Sequence, residues 1–329
     1  METQNAITTK QARRVFSRMG FGLFIIMALN ILMEILLIYV NELMKAADIR
    51  FAGESVVYWA MLFLPLYLVA MPVGYVLMKT VPAATAEPQK LGGKQFWMYA
   101  LMCVPLMYGG NLIGTWLSAL LYGGQASSAV ETLAMSSSVW KGVFLVILAP
   151  ICEEFIFRKQ LIDRTVCYGE KTAVVFSALV FALFHMNVQQ FFYAFGLGWL
   201  FGYVYLRTRK LRYSTLLHIM INFLGTVVGP WILSLGEQRA EKIVTFEDFQ
   251  ASLFGLLPIY FYSILLIGLA IAGLVVLIIY RKRFTYQPAE LEVPKGSRFK
   301  AAYCNPGVIA FTLLSLAVVA LQSAYMLLE

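Results

Sequence analysis

Glu153 and Glu154 stand side by side in an otherwise apolar run, Ala149-Pro150-Ile151-Cys152-Glu153-Glu154-Phe155-Ile156-Phe157-Arg158. An ionisable side chain inside a membrane costs at least about 2.5–3.5 kcal/mol on insertion scales, so each such residue is a functional candidate. The chain has two histidines, His185 and His218, and both also fall in apolar segments. Asn222 follows His218 by four residues, which puts the two on one face of a helix. Two carboxylates, two imidazoles and an amide can activate water and stabilise an oxyanion, or can bind a divalent metal. The bland alternatives are a structural ion-pair network for the acids and helix–helix hydrogen bonds for the histidines.

Spacing divides the two acids. Glu154 and Arg158 are four apart with the acid first, the favourable order for a helical ion pair. Glu154 is therefore expected to be ionised and held. Glu153 points about 100° away on the helix, where its own position four residues on is Phe157. It is the freer carboxylate and the candidate general base. Gly169 is the natural stop of this helix. An antiparallel hairpin turning there sets Glu153 level with His185, each roughly 22 Å along its helix from the turn. His218, about 8 Å into a helix that starts near Tyr213, reaches the same level if the hairpin projects about 10 Å into the cytoplasm. The expected result is a polar cavity within the membrane, reached from the cytoplasmic side.

The elements that position these residues read as membrane helices. Hydrophobic residues make up 60% of the 329 residues and charged residues 13%, about half the soluble average. Nine segments can span: 21–43, 56–78, 96–121, 139–161, 172–186, 191–206, 214–235, 256–280 and 308–328. The fifth and sixth are short. The predicted fold class is all-α: a polytopic integral membrane helix bundle of about eight to nine transmembrane helices. Residues 1–95 form a basic arm, expected to be an interfacial helix, plus two spans. Residues 96–235 form the core carrying the candidate site, and 236–329 an outer loop plus two apolar spans assigned structural roles. The first apolar segment is too long for a cleaved signal and reads as a retained anchor.

With the N-terminus in the cytoplasm, most of the 26 Lys and Arg fall on cytoplasmic segments. The net charge of +8 is thus topological, and the partner it implies is the lipid bilayer rather than nucleic acid. Cys103, Cys152, Cys167 and Cys304 lack any CxxC spacing, so neither a disulfide framework nor a zinc–cysteine site is expected. Glu34 is a lone intramembrane acid, read as packing. The 81–94 connector, with Pro82, Pro88 and Gly92-Gly93, reads as flexible. Pro105 with Gly109-Gly110 predicts a kink, and Gly198 and Gly202 form a GxxxG packing stripe.

Glu153-Glu154-x-x-x-Arg158, then Phe181-x-x-x-His185, then His218-x-x-x-Asn222, in this order on successive membrane helices, resembles the CAAX protease and bacteriocin-processing (Abi) family, integral membrane endopeptidases related to the type II CAAX prenyl endopeptidase. The resemblance covers about 96–235. It implies that Glu153 and His185 activate the hydrolytic water, that His218 and Asn222 stabilise the oxyanion, and that Glu154 with Arg158 orients the site. It implies a membrane-anchored peptide or protein as substrate and a bacterial inner-membrane location. The family has been described both as metalloproteases and as glutamate-dependent proteases. A zinc ion on Glu153, His185 and His218 is the metal version. Two other classes compete: a proton-coupled transporter using the same residues as a relay, and a non-catalytic immunity or scaffold protein of the same fold.

Overall fold

The computed structural model describes residues 2–46, 55–122, 133–136, 138–240 and 246–328. Among the described residues all regular structure is helical. Helix α1 is Glu2–Ala46, and α2 is Val56–Met78 with a π-helical stretch at Pro65–Ala70. Helix α3 is Gly93–Tyr122. Helix α4 runs through Gly142–Leu148, Ala149–Glu154, Phe155–Gln160 and Leu161–Thr165, the first and third of π type. Helices α5 (Glu170–Phe184) and α6 (Val188–Thr208) form a hairpin. Helix α7 is Leu211–Phe223, prolonged through Leu224–Val228 and Gly229–Ala240. Helices α8 (Phe246–Tyr280), α9 (Arg298–Ala302) and α10 (Pro306–Leu328) follow.

Among the described residues, six helices are long and apolar enough to cross a membrane: Ile7–Ala46, Val56–Met78, Gly93–Leu121, Leu211–Leu235, Leu256–Arg283 and Pro306–Ala324. The other three predicted spans, 139–161, 172–186 and 191–206, are helical but do not meet that standard. The reason is physical. Segment α4 carries four charges between Glu153 and Lys159, and α5, with 15 residues, is only about 22 Å long. Segments α4, α5 and α6 are instead the buried centre, with Phe157, Leu161, Phe176, Val180 and Phe201 at 1% exposure or less. The six apolar helices surround them and present Leu36, Ile264, Ile271, Ile278 and Leu313 outward. An apolar surface that extensive is stable in lipid, not in water.

The N-terminal arm differs from expectation. It continues into the first span as one helix, and Ala12, Phe16 and Met19 on it are fully buried. Phe16 packs edge-on against Phe176 of α5, with ring centroids 4.9 Å apart. Its apolar face is core, not an interfacial surface. The 81–94 connector is also tied down. Ala84 N–H donates to the Asp163 carbonyl (2.6 Å), Gln89 N–H to the Thr208 carbonyl (2.8 Å) and Leu91 N–H to the Tyr213 hydroxyl (3.2 Å). Proline and glycine content marked a non-helical segment correctly, but long-range hydrogen bonds fix it.

Two glycine predictions hold. Gly169 ends the α4 segment at φ 137°, a conformation that favours glycine. Gly198 and Gly202 let α6 approach α5: an added methyl at Gly198 would lie 3.1 Å from the Phe181 ring and 3.2 Å from the Ala178 backbone. Gly198→Leu should therefore destabilise by about 1–3 kcal/mol through overpacking. Gly109→Ala, where nothing lies within 4 Å, should leave stability unchanged or raised. Thermal unfolding in detergent compares the two. Equal Tm values would contradict the close α5–α6 contact.

Candidate active site

The acids lie where α4 passes from its α-helical Ala149–Glu154 turn into the π-helical Phe155–Gln160 turn. Such insertions are frequent at functional sites. Glu154 and Arg158 are both 0% exposed. Arg158 Nη2 lies 3.1 Å from Glu154 Oε1, and Arg158 Nε donates to Glu154 Oε2 at 3.2 Å. The guanidinium also donates to the Ser177 hydroxyl (3.0 Å), which donates on to the Phe157 carbonyl (2.5 Å). Its carbon sits 4.5 Å from the centre of the Phe181 ring. The predicted pair is present, and α5 completes it. Two buried opposite charges with further hydrogen bonds offset each other's desolvation; either alone would not.

Each histidine is oriented by its Nδ1. His185 caps the C-terminus of α5, and its Nδ1 lies 2.8 Å from the Phe181 carbonyl oxygen. A carbonyl only accepts, so the proton is on Nδ1 and the Nε2 lone pair is left for the cavity. Met186, next in the chain, takes φ 49°, and Asn187 caps α6 by accepting from Gln190 N–H. His218 on α7 places Nδ1 3.1 Å from Glu154 Oε1 and Nε2 3.7 Å from Glu153 Oε2. Nδ1–H donates to the anchored carboxylate, so Nε2 faces Glu153. The Phe181 ring stands edge-on to both imidazoles, with centroid distances of 4.8 Å to His185 and 5.8 Å to His218. The Phe201 ring lies against His218 at 5.2 Å. Asn222, one turn beyond His218, donates from Nδ2 to the Leu145 carbonyl at 2.9 Å, joining α7 to α4.

A cavity of about 760 Å³ is lined by Glu153, His185, His218 and Asn222 together. All four predicted cavity-facing residues thus meet, and Glu154 and Arg158 lie directly behind them. One pairing differs. His218, not His185, is the histidine nearest the Glu153 carboxylate; Glu153 and His185 face the same cavity without a direct hydrogen bond or ion pair. Level heights assume a uniform α-helix, and the π stretch Phe155–Gln160, which lies between Glu153 and the turn at Gly169, departs from that ideal. Sequence reasoning missed Ser177, Phe201 and Tyr67, the last lining the cavity from α2. Ser177 could have been found, since it precedes Phe181 by four and His185 by eight, on the same helical face. Glu34 is not part of the site; it accepts from Asn30 Nδ2 on its own helix at 2.7 Å.

The basic end of the bundle is closed. Asp163 accepts from the Tyr205 hydroxyl at 2.9 Å and pairs with Arg209 at 3.1 Å. Arg164 donates to the Met78 carbonyl at 2.9 Å. The segment before α9 adds Leu291 N–H to the Cys167 carbonyl (2.9 Å) and Val293 N–H to the Tyr168 carbonyl (3.2 Å). The four cysteines are free thiols.

Zinc was one expectation from the resemblance. Among the described residues no three His, Cys, Asp or Glu side chains form a group that could hold a metal ion. Both Nδ1 atoms are committed, to Phe181 and to Glu154, which leaves each Nε2 as the ring nitrogen open to a metal. As they stand, Glu153, His185 and His218 are not gathered into a metal-holding group, and the reaction is derived from the chain's own groups.

Fold and site together define an all-helical membrane protein with a buried carboxylate–imidazole cluster. Residues 135–224 match the family model described as type II CAAX prenyl endopeptidase Rce1-like, in agreement with the resemblance drawn from the three motifs. The matched stretch contains Glu153, Glu154, Arg158, His185, His218 and Asn222. No curated protein and no solved structure matches the chain.

Proposed function

We propose that this protein is an intramembrane endopeptidase that hydrolyses a peptide bond in a membrane-associated protein or peptide. One water bridges Glu153 and His185 Nε2. Both are acceptors, so the water gives each a hydrogen bond and keeps a lone pair for attack. Its oxygen bonds to the scissile carbonyl carbon as its proton passes to Glu153. His218, protonated on both nitrogens between Glu153 and Glu154, donates from Nε2 to the oxyanion. Asn222 donates its second amide hydrogen there, the first being held by Leu145. Glu153 then returns the proton to the departing amine as the C–N bond breaks. Glu154 and Arg158 stay charged throughout and fix His218. Residues 96–235 are the catalytic unit in this reading, the segments 139–161, 172–186 and 191–206 lie at membrane depth, and the protein resides in a bacterial cell membrane with its N-terminus in the cytoplasm.

The observation that most supports this reading is the convergence of Glu153, His185, His218 and Asn222 from three helices on one cavity. The test is cleavage of a membrane-anchored reporter peptide by purified protein. His185→Ala should lower kcat by about 10²–10⁴-fold, and Asn222→Ala by about 10²–10³-fold. Wild-type activity should persist after exhaustive chelation. If both variants cleave like wild type, the assigned roles are wrong; if chelation abolishes cleavage and zinc restores it, the water is metal-bound. Proton flux into liposomes, lost in the same variants, would establish the transporter class instead.

A further inference from the structure

The site cavity extends in one direction only. On α3 it is lined from Met107 to Ala119, the half of the helix away from Gly93. On α7 it runs from His218 to Leu233, away from the Arg209 turn. On α4 it includes Leu145, Ala149 and Glu153, while Phe157 and Leu161 beyond them are fully buried. The other way out is blocked by the Asp163–Tyr205–Arg209 cluster and by the two segments bonded across it. The blocked end carries the basic loops. The charge rule for membrane proteins sets such loops in the cytoplasm. The cavity therefore leads away from the cytoplasm, opposite to the expectation from helix heights.

Its wall has a definite chemistry. Apart from Glu153, His185 and His218, its described lining holds no charged or imidazole side chain. Neutral hydrogen-bonding groups run along it instead. Asn111, Thr115 and Ser118 are spaced by four and three on α3, so they share one face. They cover about 10 Å of helix, the length of roughly three residues of extended chain. An extended segment leaves its backbone N–H and C=O groups unpaired, and at membrane depth these need partners. A row of amide and hydroxyl groups supplies them without selecting a side chain. A charged substrate residue would find no counter-charge on this wall and is rejected by its desolvation cost.

We infer that the cavity is a substrate track for an uncharged, extended peptide segment that enters from the face opposite the basic loops, an extracytoplasmic substrate rather than a cytoplasmic chain end. The inference rests on the peptidase reading for what happens at Glu153. Its access test does not need cleavage.

Ala149→Cys places a thiol one turn before Glu153, and Thr115→Cys places one midway along the track. Each full-length variant, in cells or in inverted vesicles, is treated with an uncharged, sugar-linked maleimide that does not cross membranes. Labelling beyond that of the four native cysteines is read by mass. Lys171→Cys marks the basic side. Both track positions should be labelled from the side opposite Lys171→Cys. In a Glu153→Gln background, a lipid-anchored peptide with an uncharged Ala/Ser/Leu stretch should abolish that labelling. The same peptide with lysines or aspartates inside the stretch should not. Labelling of the track from the Lys171 side, or from neither side, overturns the assigned direction while leaving the peptidase reading standing. Equal protection by charged and uncharged peptides overturns the assigned substrate class.

Discussion

Glu153→Gln should lower the cleavage rate by about 10²–10⁴-fold, the usual contribution of a positioned general base, and leave the fold intact. The carboxamide keeps the size of the side chain and removes its capacity to take a proton. Glu153 lines the cavity, and its contact within the protein is a 3.7 Å approach to His218, so few structural bonds are lost. Glu154→Gln should behave differently. Glu154 is fully buried, accepts from His218 and is paired with Arg158. Its neutralisation leaves the guanidinium without its counter-charge, so stability falls along with activity. Unfolding midpoints measured beside cleavage rates separate the two acids. If Glu153→Gln destabilises as much as Glu154→Gln, the division of roles is wrong.

The largest stability effect is expected at Arg158. Arg158→Leu strands the Glu154 carboxylate in a fully buried position and removes the donor to Ser177. Breaking a buried ion pair from one side costs about 3–5 kcal/mol. Removing both charges, Arg158→Leu with Glu154→Met, should recover most of that loss, because a well-packed apolar replacement is often neutral or better. The double variant should nonetheless be inactive, since His218 Nδ1 loses its acceptor. Denaturation of the single and double variants checks the cycle. Additive losses would show that the two side chains are not coupled.

These variants also mark what could be read from the chain. Glu154 with Arg158 was legible because a four-residue helical spacing is local and survives tertiary packing. Gly169 was legible because a single glycine ended the helix before a new apolar run. The shared depth of Glu153 and His185 followed from the rise per residue along the hairpin, whereas that of His218 needed an assumed offset between helices as well. Rotation about the helix axes did not follow. The π turn at Phe155–Gln160 carries no marker in the sequence, and His218 rather than His185 is nearest to Glu153. The direction of the cavity was hidden for a related reason. The bonds that close the basic end join residues far apart in the chain, such as Ala84 to Asp163 and Leu291 to Cys167. The apolar run of residues 172–186 does not by itself say whether it meets lipid or protein, since an apolar segment serves equally well as the protein's own centre, and α5 is buried there. Ser177 on its own is one hydroxyl in an apolar helix, and only its place in the Phe181–His185 stripe sets it apart.

The central claim is that Glu153 drives the addition of water to a peptide bond. Purified protein in liposomes, given a membrane-anchored reporter in heavy-oxygen water, tests it directly by mass spectrometry of the fragments. The new carboxylate of the N-terminal fragment should carry one heavy oxygen with the wild type, and this product should be lost in Glu153→Gln. An intact reporter with the wild type, or labelled fragments formed equally by Glu153→Gln, would contradict it.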